Sequence, residues 1–151
     1  MGKSRFHGSV INKMQLKLPA LSANEGMARA AVSAFCSQLD PTAVELADVK
    51  CAVSEAVTNC IVHAYCEKIG KIYINGELLD NNTIKLKIRD TGCGIENISQ
   101  AMEPLFTTVG GERAGLGFAV MESFMDKVRV ASKPDMGTTV TMEKRIWGKR
   151  L

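Results

Sequence analysis

The feature that most constrains the fold is a pair of alternating segments on either side of Asp80-Asn81-Asn82. Apolar residues and one glycine take every second position there: Ile72, Ile74, Gly76 and Leu78 before the turn, and Ile84, Leu86 and Ile88 after it. Because side chains alternate between the two faces of a strand, this period predicts an antiparallel hairpin with one buried face. Asp90 continues the buried phase of the second segment, so its carboxylate is predicted to point inward.

A carboxylate in that position needs hydrogen-bond donors, because an unpaired buried charge is very costly. No lysine or arginine continues the same phase beside Asp90, so a ligand that donates hydrogen bonds would satisfy it. Gly92 and Gly94 follow at once, and glycine lets a ligand pack against bare backbone. The pattern indicates a ligand pocket, and its alternative is a plain Asp-Gly turn at a strand end.

Residues 42–66 have the period of an amphipathic helix. Apolar residues recur at three- and four-residue steps: Leu46, Val49, Val53, Ala56, Val57, Cys60 and Ala64. Glu55 and Asn59 lie four apart beside this stripe, so a helix presents their carboxylate and amide on one face. Such a pair suits a metal and water site, and the alternative is a solvated helix flank.

Turn and cap signals predict the elements before this helix. Residues 14–18 alternate like an edge strand, and Ser22 with Glu25 forms a capping-box pattern that predicts the start of a helix. Glu25 and Arg29, four apart on that helix, predict either a surface ion pair or part of a partner-binding face. The Asp-Pro-Thr run that follows is predicted to cap the central helix, with Pro41 in its first turn.

The segment after the hairpin is rich in glycine. Residues 104–114 have the composition of a mobile lid. This stretch contains Thr107, Thr108 and Arg113. Gly115 and Gly117 are predicted to open a helix whose free N–H groups suit a phosphate, although glycines are also ordinary at a loop-to-helix junction.

A second hairpin is predicted at the end of the chain. It runs through Val128 and Val130, turns at residues 134–137 and returns through Val140. Thr138 shares the phase of Val140, so its hydroxyl is predicted to face inward, near Asp90.

Composition and charge exclude several classes. The 151 residues, 46% apolar, suit one domain, and the net charge of +3 is too small to indicate nucleic acid. No apolar run reaches the ~20 residues of a membrane helix, and no signal peptide is recognised. Five cysteines without a Cys-x-x-Cys pair argue against disulfides and zinc. We expect a cytoplasmic protein with a mobile extension over residues 1–12, one domain over 13–147 and a basic tail over 148–151.

The motifs, in their order along the chain, resemble a known family. The order is Glu-x-x-x-Asn, Asp-x-Gly-x-Gly, a Thr/Gly/Arg loop, Gly-x-Gly and Gly-Thr-Thr. It resembles the ATP-binding fold shared by gyrase, Hsp90, histidine kinases and MutL, and within it the small serine kinases that act as bacterial anti-sigma factors. The resemblance implies an α+β two-layer sandwich, with helices packed on one face of a mixed, mostly antiparallel sheet.

The resemblance also implies roles for the site residues. Glu55 would be the general base that takes the proton of a substrate serine, and Asn59 would ligate Mg²⁺. Asp90 would accept the adenine amino hydrogen of ATP or ADP, with Thr138 assisting through water. Gly92 and Gly94 would leave room for the adenine ring. Phosphate contacts would come from Thr107, Thr108 and Arg113 of the lid and from the amides of Gly115 and Gly117.

The implied function is an ATP-dependent protein-serine kinase that also holds a sigma factor. Its substrate would be an anti-anti-sigma protein, and the kinase would form a homodimer. A second hypothesis is a nucleotide-gated anti-sigma binding module with little catalysis. Glu55 argues against it, because a carboxylate at that position suits proton transfer better than simple binding. A histidine-kinase catalytic domain is less favoured, because no second helical hairpin for a phosphoacceptor histidine is recognised. The stretch at residues 109–113 looks shorter and more glycine-rich than the family's lid.

Overall fold

The computed structural model describes residues 8–64, 69–92 and 117–148. In chain order the elements are β1 (Val10–Pro19), α1 (Asn24–Cys36), a 3₁₀ turn (Ser37–Leu39), α2 (Ala43–Asn59), a π-helix (Cys60–Ala64), β2 (Lys71–Leu79), β3 (Thr83–Asp90), α3 (Gly117–Phe124), β4 (Lys127–Lys133) and β5 (Gly137–Arg145). In this part of the chain, no helix has the length and apolar character needed to cross a membrane.

The strands form one five-stranded sheet in the order β1-β2-β3-β5-β4. All of the described pairings are antiparallel. The inner phase of the strands shares one apolar core with α1, α2 and α3, so the helices form a second layer on one face. The predicted α+β two-layer architecture is confirmed.

The predicted hairpin forms β2 and β3, with Ile74 opposite Ile88 and Leu78 opposite Ile84. All four of these side chains are fully buried. Gly76 lies in the same phase, where α1 crosses the sheet. A Cβ atom at Gly76 would stand 2.9 Å from the ring of Phe35, so the absence of a side chain lets the helix approach the strand closely.

Three sequence-based expectations about element starts were wrong. β1 begins at Val10, so residues 10–12 belong to the sheet and not to a mobile extension. Helix α1 begins without a side-chain cap: Ser22 contributes only its carbonyl, to the N–H of Glu25. Pro41 precedes the N-cap Thr42 and does not lie in the first helical turn; the capping box of α2 is formed by Thr42 and Glu45.

Glu45 also holds the end of the described chain. Its carboxylate accepts hydrogen bonds from the backbone N–H groups of Trp147, at 2.7 Å, and Gly148, at 3.0 Å. Asn82 in the first hairpin turn donates from its side chain to the carbonyl of Ile146. The start of α2, the β2–β3 turn and the segment after β5 are therefore joined by polar contacts at one end of the sheet.

The face of the sheet opposite the helices is strongly basic. Its outward phase carries Lys13, Lys17, Lys71, Lys85, Lys87, Arg89, Lys127, Arg129, Lys133 and Arg145. The acidic residues in that phase are Glu77 and Glu143. Arg89 and Lys17 lie over the ring of Tyr73, at 4.2 and 5.5 Å from its centroid. Cation–π contacts of this kind attract a cation to the ring and so offset part of the repulsion between the two bases.

Candidate nucleotide site

Asp90 ends β3 with its carboxylate buried under the helices, at 5% exposure. Its Oδ1 atom accepts hydrogen bonds from the backbone N–H groups of Gly92, at 2.9 Å, and Thr138, at 3.2 Å. Burial raises the pKa of the Asp90 carboxyl, and these hydrogen bonds only partly oppose the effect. The ion pairs among the described residues do not include Asp90. The prediction of an inward carboxylate is confirmed.

Thr138 contacts Asp90 in a different way from the one expected. The hydroxyl was predicted to reach toward Asp90, but the contact comes from the backbone N–H. The hydroxyl lies instead 2.8 Å from the hydroxyl of Ser132, across the β4–β5 pair. The strand pairing of Thr138 with Ser132 thus takes up the side chain and leaves the main chain to hold the carboxylate.

Gly137 brings this main chain close to Asp90, which the sequence reasoning missed. It adopts φ +95°, and a Cβ atom there would stand 2.2 Å from the carbonyl oxygen of Asp90. No L side chain fits such an approach, and the conformation itself favours glycine. The Gly-Thr-Thr motif was the available signal, but only the chain path shows which backbone the glycine must meet.

Cys60 is a second contact of Asp90 that the sequence reasoning missed, because it assigned this cysteine only to the core. Its Sγ atom lies 3.7 Å from Oδ2 of Asp90, the oxygen that does not bind the two backbone N–H groups. Burial and the neighbouring Asp90 carboxylate raise the pKa of the Cys60 thiol well above its usual value. The thiol is therefore protonated at neutral pH.

Glu55 and Asn59 both lie in α2, one helical turn apart, and Asn59 is its last residue. The Glu55 side chain is 9% exposed, and that of Asn59 is half-buried. After Asn59 the chain continues as the π-helix, whose wider turn changes the direction of the following side chains. π-helical turns in proteins are found frequently at functional sites.

The start of α3 packs against Asn59. Gly117 is buried, and a Cβ atom there would stand 3.1 Å from both Oδ1 and Nδ2 of the Asn59 amide. The first N–H groups of a helix lack partners within the helix and favour negative charge. Asn59 therefore lies beside a helix start to which a phosphate could bind.

An Asn59 amide oxygen is a suitable hard ligand for Mg²⁺. The described residues include no group of three or more His, Cys, Asp or Glu side chains that could hold a metal. A magnesium ion at Asn59 would take its other ligands mainly from water and from phosphate, which is its usual preference. The residues present fit a Mg²⁺–nucleotide complex better than a metal held by protein alone.

Glu25 on α1 forms an ion pair with Arg29 at 3.0 Å, as its spacing predicted. The Glu25 carboxylate also accepts a hydrogen bond from the hydroxyl of Ser54. Because Ser54 precedes Glu55 on α2, this contact ties the Glu25–Arg29 pair to the helix that carries the candidate base.

Five predicted site residues lie outside the described residues: Gly94, Thr107, Thr108, Arg113 and Gly115.

Comparison with known proteins places the chain in a class of ATPase domains. Residues 18–144 match the family model of the histidine kinase-like ATPase domain. The mycobacterial sensor histidine kinase MprB superposes with a TM-score of 0.55 at 17% identity, over 88% of this chain and 99% of that chain. The RsbU and RsbW domains of a Mycobacterium tuberculosis protein superpose with a TM-score of 0.67 at 20% identity, over 89% of this chain and 32% of that one. At these identities the superpositions show the fold.

The relatives define the family within this class. The chain is 54% identical over 140 residues to the anti-sigma F factor of Caldanaerobacter subterraneus subsp. tengcongensis, covering 92% of this chain and 97% of that protein. It is 48% identical over 137 residues to the anti-sigma F factor of Bacillus subtilis, covering 89% and 93%. The chain belongs to the anti-sigma F factor family of histidine kinase-like ATPase domains.

Proposed function

We propose that this protein is a cytoplasmic anti-sigma factor that holds a sporulation sigma factor of the sigma F type and phosphorylates an anti-anti-sigma protein on serine. The observation that carries the proposal is Asp90, whose buried carboxylate has one oxygen bound by two backbone N–H groups and the other facing a thiol. The 6-amino group of adenine is a stronger hydrogen-bond donor than a thiol, and this second oxygen keeps a lone pair that can accept from it.

The ends of α2 and α3 support binding of the ATP phosphates. Asn59 offers an amide oxygen to Mg²⁺, and the N–H groups at the start of α3 donate to phosphate oxygens beside it. When bound, Mg²⁺ neutralises charge on the phosphates during transfer. Gly92 and Gly94 leave space for the adenine ring. Gly115 and Gly117 bring backbone amides to the phosphates. Thr107, Thr108 and Arg113 complete the phosphate contacts from the lid.

Glu55 acts as the general base of the transfer. Its carboxylate takes the hydroxyl proton of the substrate serine while the serine oxygen bonds to the γ-phosphorus of ATP. The bond from that phosphorus to the bridging oxygen breaks, and ADP leaves with the electron pair. The products are phosphoserine and ADP, with the proton on Glu55. Helical spacing from Asn59 supports this placement of the base beside the phosphates.

Glu25 and Arg29 form part of the surface that meets the protein partners. The hydrogen bond from Ser54 to Glu25, which also binds Arg29, gives the pair a fixed position relative to Glu55. The protein acts as a homodimer, for which the family supplies the support.

The test of the kinase assignment is Glu55→Gln with labelled ATP and the cognate anti-anti-sigma protein. The amide cannot take the serine proton, so we expect phosphoserine formation to fall by about 10²- to 10⁴-fold. ATP affinity should change by less than about twofold, because the phosphates and the adenine ring of ATP keep their contacts with the protein. The matched control is Glu77→Gln, on the opposite face of the sheet, which should retain both properties.

Equal loss of phosphorylation and ATP affinity in Glu55→Gln would contradict the assignment of the base. A wild-type protein that binds sigma factor in a nucleotide-dependent way, yet forms no phosphoserine, would instead favour the binding module. Titration of sigma factor with ADP, with ATP and without nucleotide separates these two functions.

A further inference from the structure

Among the described residues, Cys60 makes the weak contact of the Asp90 carboxylate. Oδ1 receives two backbone N–H groups at 2.9 and 3.2 Å. Oδ2 faces the thiol of Cys60 at 3.7 Å, and that side chain is 4% exposed. A carboxylate cannot donate, so the thiol is the donor in this pair. The S–H group is a weak donor, and Oδ2 keeps lone pairs for a stronger partner.

The position of Cys60 in the chain connects it to the phosphate end of the site. It directly follows Asn59, and it is the first residue of the π-helix. The change from α- to π-helix at this point coincides with the division of roles between two neighbours: Asn59 packs against the start of α3, whereas Cys60 reaches β3. One turn of backbone thus contacts both the phosphate end of the candidate site and Asp90.

We propose that Cys60 is a positioning residue for base recognition: its thiol holds Oδ2 of Asp90 in the orientation that accepts the 6-amino group of adenine. This inference rests on the proposed function of Asp90. The two backbone N–H groups fix only Oδ1, so a tilt of the carboxylate about that atom is restrained at Oδ2 by Cys60. A single donor at this place uses one lone pair of Oδ2 and leaves the other available to the 6-amino group of adenine.

The experiment compares two nucleotides in the full-length protein by calorimetric titration. ATP carries the 6-amino group, and the triphosphate of purine riboside lacks it but keeps the other groups. In Cys60→Ala we expect ATP affinity to fall about threefold, the size of a weak hydrogen bond to a charged acceptor, while affinity for the analogue stays unchanged. The preference for ATP therefore falls about threefold.

Two further variants separate positioning from packing. Cys60→Ser keeps a donor of similar size and should hold the preference for ATP within about twofold of wild type. Cys36→Ala removes an equally buried thiol on α1, so it should lower thermal stability without changing the preference. A Cys60→Ala protein that loses affinity for both nucleotides equally would overturn the inference. A wild-type protein that binds ATP and the analogue equally would overturn the adenine assignment of Asp90 itself.

Discussion

At the scale of single residues, Asp90 couples a cost in folding to a gain in binding. Burial raises the pKa of its carboxyl, which means that the ionised form is less stable in the folded chain than in the unfolded one. The free energy of folding therefore becomes less favourable as the pH rises through the interval between the unfolded and folded pKa values. At neutral pH the protein without nucleotide keeps this cost, and a donor from a ligand reduces it.

The variant Asp90→Asn tests this coupling. The asparagine Oδ1 can still accept from Gly92 and Thr138, but its amide presents N–H groups where the base needs an acceptor. We expect ATP affinity to fall at least tenfold, because a hydrogen bond to a charged group is lost and the asparagine N–H group then faces the N–H donor of adenine. The melting temperature without nucleotide should stay equal or rise, because a buried charge is removed.

Calorimetric titration and thermal denaturation measure the two effects on the same sample. Asp80→Asn, in the exposed hairpin turn where Asp80 accepts from the N–H of Ser9, is the matched control and should leave ATP affinity unchanged. Full ATP affinity in Asp90→Asn would remove the main support for the adenine pocket.

The inward direction of Asp90 could be predicted from the sequence because strand side chains alternate strictly, and three buried neighbours set the phase. The partners of its carboxylate could not be predicted. The contact from Thr138 comes through its backbone, and that from Cys60 depends on where α2 becomes a π-helix. Both depend on how separate elements meet, which the period of a single segment does not contain.

At the scale of elements, Glu45 connects the start of α2 with the end of the chain. It closes the capping box with Thr42 and accepts from the N–H groups of Trp147 and Gly148. Partial burial acts to raise the pKa of the Glu45 carboxyl, but the hydrogen bonds from Thr42, Trp147 and Gly148 together hold it below its usual value. The ionised form therefore stabilises the fold.

We expect Glu45→Ala to lower stability by about 1–2 kcal/mol at pH 7, the range for loss of a helix cap. For a chain of this size that is a fall of roughly 3–8 °C in melting temperature. A depressed pKa contributes stability above the unfolded value of about 4.3, and this is lost as the pH falls through the folded value. The difference between wild type and Glu45→Ala should shrink on acidification below about pH 4.

Circular dichroism melts at several pH values measure this difference, with Glu122→Ala on the exposed face of α3 as the control. A penalty that stays constant below the unfolded pKa would show that the carboxylate charge is not what holds the segment. The sequence analysis predicted a capping box for Ser22 with Glu25 and missed the one that Thr42 and Glu45 form. The predicted box does not form, because Glu25 instead contacts Arg29 and Ser54, and a local pattern does not reveal that tertiary competition.

At the scale of the whole molecule, charge is divided unevenly between the two faces of the sheet. The order of the strands is not evident from sequence periods, so only the structure reveals that lysines and arginines from all five strands share one face. The formal net charge of +3 conceals this asymmetry. Like charges on neighbouring strands destabilise a sheet, and salt screens the repulsion between exposed groups.

Lys87 and Lys127 allow this repulsion to be tested with opposite expected signs. Lys87 is exposed on β3 between Lys85 and Arg89, and its cross-strand neighbours Asn75 and Thr141 are uncharged. Replacing it with glutamate turns repulsive contacts into attractive ones, so Lys87→Glu should raise the melting temperature by about 1–3 °C at low salt. Lys127 lies opposite Glu143, with its Nζ atom 3.9 Å from that carboxylate, so Lys127→Glu should lower it by a similar amount.

Both shifts should shrink between about 20 mM and about 300 mM NaCl, because the screening length falls well below the width of the sheet. Calorimetric melts of the two variants and the wild type at both salt concentrations provide the measurement. Two variants that destabilise the protein alike, with no response to salt, would mean that the lysine side chains act through packing of their aliphatic stems. Shifts of opposite sign that converge in salt can come only from charge, since both substitutions replace the same side chain with the same acid.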